Sequence, residues 1–214
     1  MVKIAHIADV HYRGLQRHDE YRTVFAAFAE SAKAAQVDHI FVAGDIFHTK
    51  TMGISPEYIE EMCWWVETLA DIAHLHLMLG NHDGNLVNLS RQDAITPIIR
   101  ALKNPRVHLY KESGVYSFAP GFNWCIFSLF DEANWDKVKP VPGDVNIACY
   151  HGPVAGAKTE SDWEIEGGLD LEFFENYDFC LLGDIHRLQY LAYREVKTEE
   201  DQVGLSGTSL ADDT

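Results

Sequence analysis

The stretch Leu75-His76-Leu77-Met78-Leu79-Gly80-Asn81-His82-Asp83 joins an apolar run of strand length to three polar side chains at a glycine. Such a run reads as a buried strand over about Leu75–Leu79, with Gly80 as the point where the chain turns. Taken alone, the stretch also admits a plain turn. Upstream, His39–Ala43 is a second apolar run that ends on Gly44-Asp45, and Lys3–Ala8 is another that ends on Asp9-Val10-His11. Tyr21, Val24, Phe25, Phe28, Ala32 and Ala35 recur at helical spacing, which predicts an amphipathic helix over about Asp19–Gln36. Ser55-Pro56 marks a second helix start, with Ser as N-cap and Pro at the first helical position. Ile59, Met62, Cys63, Val66, Leu69 and Ala73 supply its buried stripe. The N-terminal third therefore alternates β-α-β-α-β, and a helix in each crossover predicts a parallel sheet.

Downstream the rhythm changes. After a short helix at about Ala94–Lys103, the strands Val107–Tyr110, Val115–Phe118, Trp124–Phe130 and Val145–Tyr150 follow without long helices between them. This predicts a second sheet with more antiparallel pairing. Phe179–Leu182 and Leu188–Glu195 read as further strands. The expected architecture is α/β, a four-layer α/β/β/α sandwich of two mixed sheets, formed as one domain over 1–214. The chain stops soon after Gly207-Thr208-Ser209 with no closing element, which points to a missing downstream region.

A hydrophobic content of 47% suffices for a core. No apolar run approaches the roughly 20 residues of a membrane span. The N-terminus lacks the apolar region and cleavage site of a signal peptide. Cys63, Cys125, Cys149 and Cys180 form no CxxC pair and read as buried free thiols of a reducing cytosol. A formal charge of −16 disfavours passive nucleic-acid binding by a basic surface. It leaves a nucleic-acid enzyme open, because bound divalent cations supply local positive charge.

His151, after the run Val145–Tyr150, and Gly183-Asp184-Ile185-His186, after Phe179–Leu182, complete a series of five motifs. Individually they are weak: Asp-x-His is common, Gly-Asp is often a turn, and His151 could be a satisfied strand-end histidine. Together they set Asp9, His11, Asp45, Asn81, His151, Asp184 and His186 at strand ends, where α/β folds place their sites. These are hard-to-borderline ligands, enough for two cations sharing one carboxylate. Two such cations would polarise a phosphate and acidify a water between them.

This order of motifs resembles the calcineurin-like metallophosphoesterase superfamily over nearly the whole chain. Within it, Gly44-Asp45-Ile46-Phe47-His48, with a histidine three residues after the aspartate, resembles the SbcD-type nuclease subunits of double-strand-break repair and their phage recombination counterparts. Leu205-Ser206-Gly207-Thr208-Ser209 resembles the strand and Gly-Ser segment of that group. The resemblance implies that Asp9, His11 and His186 hold the first metal, that Asp45 bridges, and that Asn81, His151 and Asp184 hold the second. It implies that His82 acts on the substrate phosphate and that His48 sits near the scissile group. Asp83 could orient His82 as an outer carboxylate.

One departure stands out. The family usually has Gly-His-x-His at the last motif, where this chain has Asp184. The harder ligand set favours Mn²⁺, or Mg²⁺, as the pair of divalent cofactors. The activity implied is exo- or endonucleolytic cleavage of DNA in recombination or repair. The implied setting is the cytoplasm, or the host cytoplasm for a phage-encoded protein. The implied partners are DNA and an SMC-like ATPase of the SbcC type, with a homodimer admitted and no membrane. The alternatives are a phosphoesterase for small molecules and a catalytically weak subunit that binds DNA ends or a partner.

Outside the motifs, His6, His18, His39, His74, His76 and His108 are assigned structural or surface roles. Tyr12 and Arg13 either contact a phosphate or form an exposed turn. The loop Gly152–Asp170, carrying Lys158, Trp163 and Gly167-Gly168, either faces substrate or is a surface connection.

Overall fold

Each crossover in the first sheet carries a helix, and the sheet is parallel throughout. In the computed structural model, which describes residues 1–13, 17–48, 54–195, 202–204 and 206–207, the order is β1 (Ile4–Ile7), β2 (His39–Ala43), β3 (His74–Met78), β4 (Val107–Tyr110). The connecting helices are α1 (His18–Ala35), α2 (Pro56–Ile72) and α3 (Thr96–Leu102). Ser55 caps α2 as its sequence announces, its hydroxyl accepting the Tyr58 amide at 3.3 Å.

Two expectations are corrected. β4 belongs to the first sheet, parallel to β3, and not to the second. Its crossover is the short helix expected at about Ala94–Lys103, here α3 with 7 residues. The second sheet, with strands in the order Ser206–Gly207, Phe179–Gly183, Val145–His151, Phe122–Phe127, Gly114–Ala119, is also mostly parallel. It contains β5 (Gly114–Ala119), β6 (Phe122–Phe127), β7 (Val145–His151), β8 (Phe179–Gly183) and β11 (Ser206–Gly207), and only β5 and β6 pair antiparallel. Its parallel returns pass through irregular chain and the 3-10 turns Glu132–Lys137 and Leu171–Phe174. Without long helices, nothing in the hydrophobic period marked them as crossovers. Among the described residues these turns, with Val138, Ala157, Phe174 and Tyr177, cover the outer face of the second sheet in place of α-helices.

β9 (Tyr193–Glu195) and β10 (Gln202–Gly204) form a separate antiparallel ribbon, so the strand expected over Leu188–Glu195 is confined to its end. Leu205, Thr208 and Ser209 lie outside the described residues; Ser206–Gly207 add a short strand beside β8.

The sheets pack face to face through Ala8, Phe41, Ala43, Met78, Trp124, Ile126, Ile147 and Cys149. The helices cover the other face of the first sheet, with Phe25 stacked on Trp65 at 4.8 Å. Tyr12 is fully buried there, with Tyr21 and Tyr58 rings each 4.7 Å away, so it does not contact a phosphate. The four cysteines are free thiols. Among the described residues no helix is long and apolar enough to cross a membrane.

Candidate metal centre

The ends of β1 and β2 run on side by side beyond the strands. The Asp9 amide donates to the Gly44 carbonyl, His11 to Asp45, and Tyr12 to Ile46, at 2.9–3.1 Å. This zipper fixes Asp9 and His11 against Asp45. On the second sheet the Gly152 amide donates to the Gly183 carbonyl at 3.3 Å, which brings His151 beside Asp184. Two bonds then cross between the sheets. The Asp184 amide donates to both Asp9 carboxylate oxygens at 2.9 and 3.0 Å, and His151 Nδ1 donates to the Ala43 carbonyl at 2.6 Å. The site is thus a seam at the C-terminal ends of parallel strands from both sheets.

Glycine makes the seam possible. A Cβ on Gly183 would lie 2.1 Å from the Ala43 carbonyl oxygen, and one on Gly80 would lie 2.1 Å from Asp45 Oδ1. The polar residues that follow are held in the left-handed region: Asp9, His11, Asp45, Asp184 and His186 have φ between 46° and 73°. L-residues rarely adopt it, and such strain gathers at functional sites.

The side chains converge accordingly. His11 Nε2 and His186 Nε2 are 3.0 Å apart, and His186 Nε2 is 4.0 Å from Asp9 Oδ1, so the expected first-metal set is together. His151 Nε2 lies 3.3 Å from Asp45 Oδ1, 3.3 Å from Asn81 Oδ1 and 3.9 Å from Asp184 Oδ1, so the expected second set is together too. Asp45 stands between them, with Oδ2 3.5 Å from His11 Nε2.

These residues fit divalent metals. Asp45 Oδ2 is buried and accepts no hydrogen bond among the described residues. The bond from His151 Nδ1 to Ala43 leaves its Nε2 aimed at carboxylates, the usual support of a ligating imidazole. Burial alone would push His151 down, yet Asp45, Asp9 and Asp184 pull it up to about 10, which is the signature of a spot that demands a cation. Burial holds His11 down at about 4, against the pull of Asp45, so its ring is neutral and free to ligate. Burial raises Asp9 to about 6.

The residues expected to act on substrate stand at the rim. His82 Nδ1 donates to the His48 carbonyl at 2.5 Å, and its Nε2 is 4.0 Å from Asp45 Oδ2. The His48 ring is 5.6 Å from that of His11 and 5.9 Å from that of His82. Burial and the nearby Arg13 charge hold His48 below the ordinary imidazole value, so it is a poor acid near neutral pH.

Asp83 does not orient His82. It is fully buried, and its oxygens accept the Phe47 amide at 3.0 Å and the Gly80 amide at 2.9 Å. Instead it pins together the loops after β2 and β3, and the orienting partner of His82 is the His48 carbonyl. Burial and Asp45 raise Asp83 to about 7.

One neighbour had no signal in the sequence: Glu160 Oε1 lies 3.7 Å from His186 Nδ1. It comes from the 152–170 loop, which doubles back on the last motif. There Arg187 pairs with Asp162, while the Gln189 amide group exchanges bonds of 3.0 and 2.8 Å with the Lys158 backbone. That loop is therefore at the rim of the site, with Trp163 exposed on it.

A calcineurin-like phosphoesterase model matches residues 2–188. An uncharacterized protein of Acanthamoeba polyphaga mimivirus is 39% identical over 203 residues, covering 88% of this chain and 15% of its own. The DNA double-strand break repair protein Mre11 of Methanopyrus kandleri is 24% identical over 213 residues, 86% of this chain and 44% of its own. Mre11 of Archaeoglobus fulgidus is 35% identical over 91 residues, 38% of this chain and 19% of its own. The chain thus spans less than half the length of these relatives. Among solved structures, a dimetal phosphatase from Danio rerio superposes with a TM-score of 0.56 at 11% identity, over 97% of this chain and 87% of its own, a likeness of fold. With the family match running from the first strand through the last motif, over the residues that form the seam, this chain belongs to the calcineurin-like phosphoesterases, a family of metal-dependent hydrolases.

Proposed function

We propose that the chain, as one domain over 1–214, is a DNA phosphodiesterase, the nuclease part of a recombination or repair assembly. Asp9, His11 and His186 would hold one cation, Asn81, His151 and Asp184 the other, and Asp45 both. Mn²⁺ is the favoured ion, for the three carboxylates and the amide oxygen make a hard ligand set. Bound there, the ions would supply Lewis acidity toward a phosphoryl oxygen and toward a water. With its Nδ1 proton held by the His48 carbonyl, His82 in its imidazolium form would present a second proton on Nε2, to hold a phosphoryl oxygen or to protonate the leaving oxygen. His48 contributes position and shape there, since its lowered basicity disfavours proton donation.

The observation that carries the nuclease reading over other phosphoesterases is the likeness to two DNA repair proteins. The resemblance carried by Gly44-Asp45-Ile46-Phe47-His48 leads us to propose as well an SMC-like ATPase partner, a second copy of the chain and a cytoplasmic setting. The mimiviral relative favours the host cytoplasm. The fold of the Danio rerio phosphatase supports a second reading, hydrolysis of small phosphomonoesters. Single- and double-stranded DNA and p-nitrophenyl phosphate, each with Mn²⁺, Mg²⁺ or chelator, separate the two. Metal-dependent DNA cleavage well above phosphomonoester turnover is expected. Undiminished DNA cleavage in excess chelator would overturn the proposal, and turnover of the monoester alone would favour the second reading.

A further inference from the structure

Glu160 sits at the tip of a hairpin whose shape is set by backbone bonds. The Ile165 amide donates to the Ala157 carbonyl at 2.7 Å, Thr159 to Trp163 at 2.8 Å and Asp162 to Thr159 at 3.1 Å. Lys158 and Glu164 face each other as an antiparallel bridge. The tip, Thr159-Glu160-Ser161-Asp162, turns with Asp162 in the left-handed region at φ 62°, which a short polar side chain tolerates. At the base, Ala155 donates to the Leu169 carbonyl at 2.9 Å, and Val154 and Ala157 are fully buried. The hairpin is therefore anchored in the core and not a loose surface connection.

Its tip is latched to the segment that carries the last motif. Arg187, next to His186, pairs with Asp162 on one side of Glu160 and reaches the Thr159 carbonyl at 3.5 Å on the other. The exchange between Gln189 and Lys158 extends the latch by one more pair of residues. Glu160 is thus held between two positions that are both tied to Arg187.

The two ring nitrogens of His186 face different ways. Nε2 points inward, 3.0 Å from His11 Nε2 and 4.0 Å from Asp9 Oδ1, while Nδ1 is the atom that lies 3.7 Å from Glu160 Oε1. An imidazole that ligates through Nε2 carries its proton on Nδ1, and an acceptor behind that proton fixes the tautomer and the ring orientation. His151 has such an acceptor in the Ala43 carbonyl. For His186 the group in that place is a carboxylate. At 3.7 Å the contact is an ion-pair approach, and the glutamate side chain, 54% exposed, can close it to a hydrogen bond by rotation.

We propose that Glu160 is a positioning residue for His186: its carboxylate accepts the Nδ1 proton and keeps the Nε2 lone pair turned toward Asp9 and His11, which tightens the first cation. The proposal rests on the reading of Asp9, His11 and His186 as that cation's ligands. It makes the 152–170 loop part of the metal centre, acting from outside the ligand set.

The test is calorimetric titration with Mn²⁺ of the unmodified chain, Glu160→Ala, Glu160→Gln and His186→Ala, beside ¹⁵N spectra of the His186 ring in the metal-free proteins. Glu160→Ala is expected to weaken one of the two cations by about 10–100-fold and to leave the other, held by His151, unchanged. Glu160→Gln, whose amide oxygen still accepts a proton, should recover part of the loss. At about pH 9, where an ordinary imidazole is neutral, the share of His186 rings protonated on Nδ1 should fall in Glu160→Ala. Its melting temperature in chelator should not change. A drop in that melting temperature with both cations weakened alike would make Glu160 a structural residue of the hairpin and overturn the proposal. Unchanged affinity and tautomer in Glu160→Ala, while His186→Ala loses a cation, would overturn it too. Full retention of both cations in His186→Ala would remove the ligand reading itself, and the proposal with it.

Discussion

At the scale of single residues, the site is a set of imidazoles and carboxylates whose protonation is set by their neighbours. His151 is drawn up to about 10 by three carboxylates, so it carries a proton near neutral pH when no metal is bound. A metal must displace that proton, whereas His11, held at about 4, has none to lose. Metal affinity is therefore expected to rise with pH, with about one proton released per dinuclear centre. It should fall more steeply below about pH 6, where Asp9 also becomes protonated. Calorimetry in buffers of different ionisation enthalpy measures the release, and an affinity flat across neutral pH would contradict it. His82 stands apart from this set, because its Nδ1 is committed to a backbone carbonyl and its imidazole is 40% exposed. His82→Ala should keep both metals and lose hydrolysis by about 10²–10⁴-fold. Loss of one metal in that variant would make His82 a ligand.

At the scale of elements, the strand ends matter more than the strands. Gly183 closes the contact between β8 and β2, and its missing side chain is what lets His151 reach the Ala43 carbonyl. Gly183→Ala forces a methyl group into that backbone, and a cost of about 1–3 kcal/mol is expected from overpacking. Because the strain falls on the seam, metal affinity should drop with it. Denaturation in chelator and metal titration of the same variant check both effects, and unchanged affinity would show that the seam adapts. The turn leading into α3 is held by buried Asp93, which accepts the Ile95 and Thr96 amides at 3.0 and 2.6 Å and pairs with Lys111 at 2.7 Å. These partners outweigh burial and hold its carboxyl below the ordinary value. A depressed folded-state pKa stabilises above the unfolded value and is lost as pH falls through the folded one. Asp93→Asn should therefore flatten the acid limb of the stability profile, measured by urea melts across pH.

For the whole molecule, two sheets are joined where their ligands meet, so metal binding and folding are coupled. Ions that bind only the folded chain stabilise it, by about 2.7 kcal/mol at a hundredfold excess over Kd. Chelator should lower the melting temperature accordingly, and Asp45→Ala should lower it in the presence of metal while making it insensitive to chelator. A chelator effect of full size in Asp45→Ala would place the stabilising ion elsewhere. The charge of −16 acts at this scale as well. A polyanion approaches such a surface only where cations offset it, so under the proposed nuclease reading any DNA affinity should depend on metal occupancy more than on lysine and arginine.

Much of this was written locally. Apolar runs ending on Gly44, Gly80 and Gly183 marked the strands and their turns, helical spacing marked α1 and α2, and the residues just past the strands are the polar side chains that the structure brings together at the seam. Those signals are legible because burial, turn geometry and metal chemistry each act on a few adjacent residues. The crossovers of the second sheet carry no helical period, so its parallel pairing could be decided only by which strands come to lie side by side. The role of Asp83 depended on two amides from different loops, Glu160 met His186 across 26 positions, and four unremarkable histidines, His39, His74, His76 and His108, became neighbours through strand register. A contact between residues far apart in the chain leaves no pattern in either segment, because its energy is realised only once packing has set the distance.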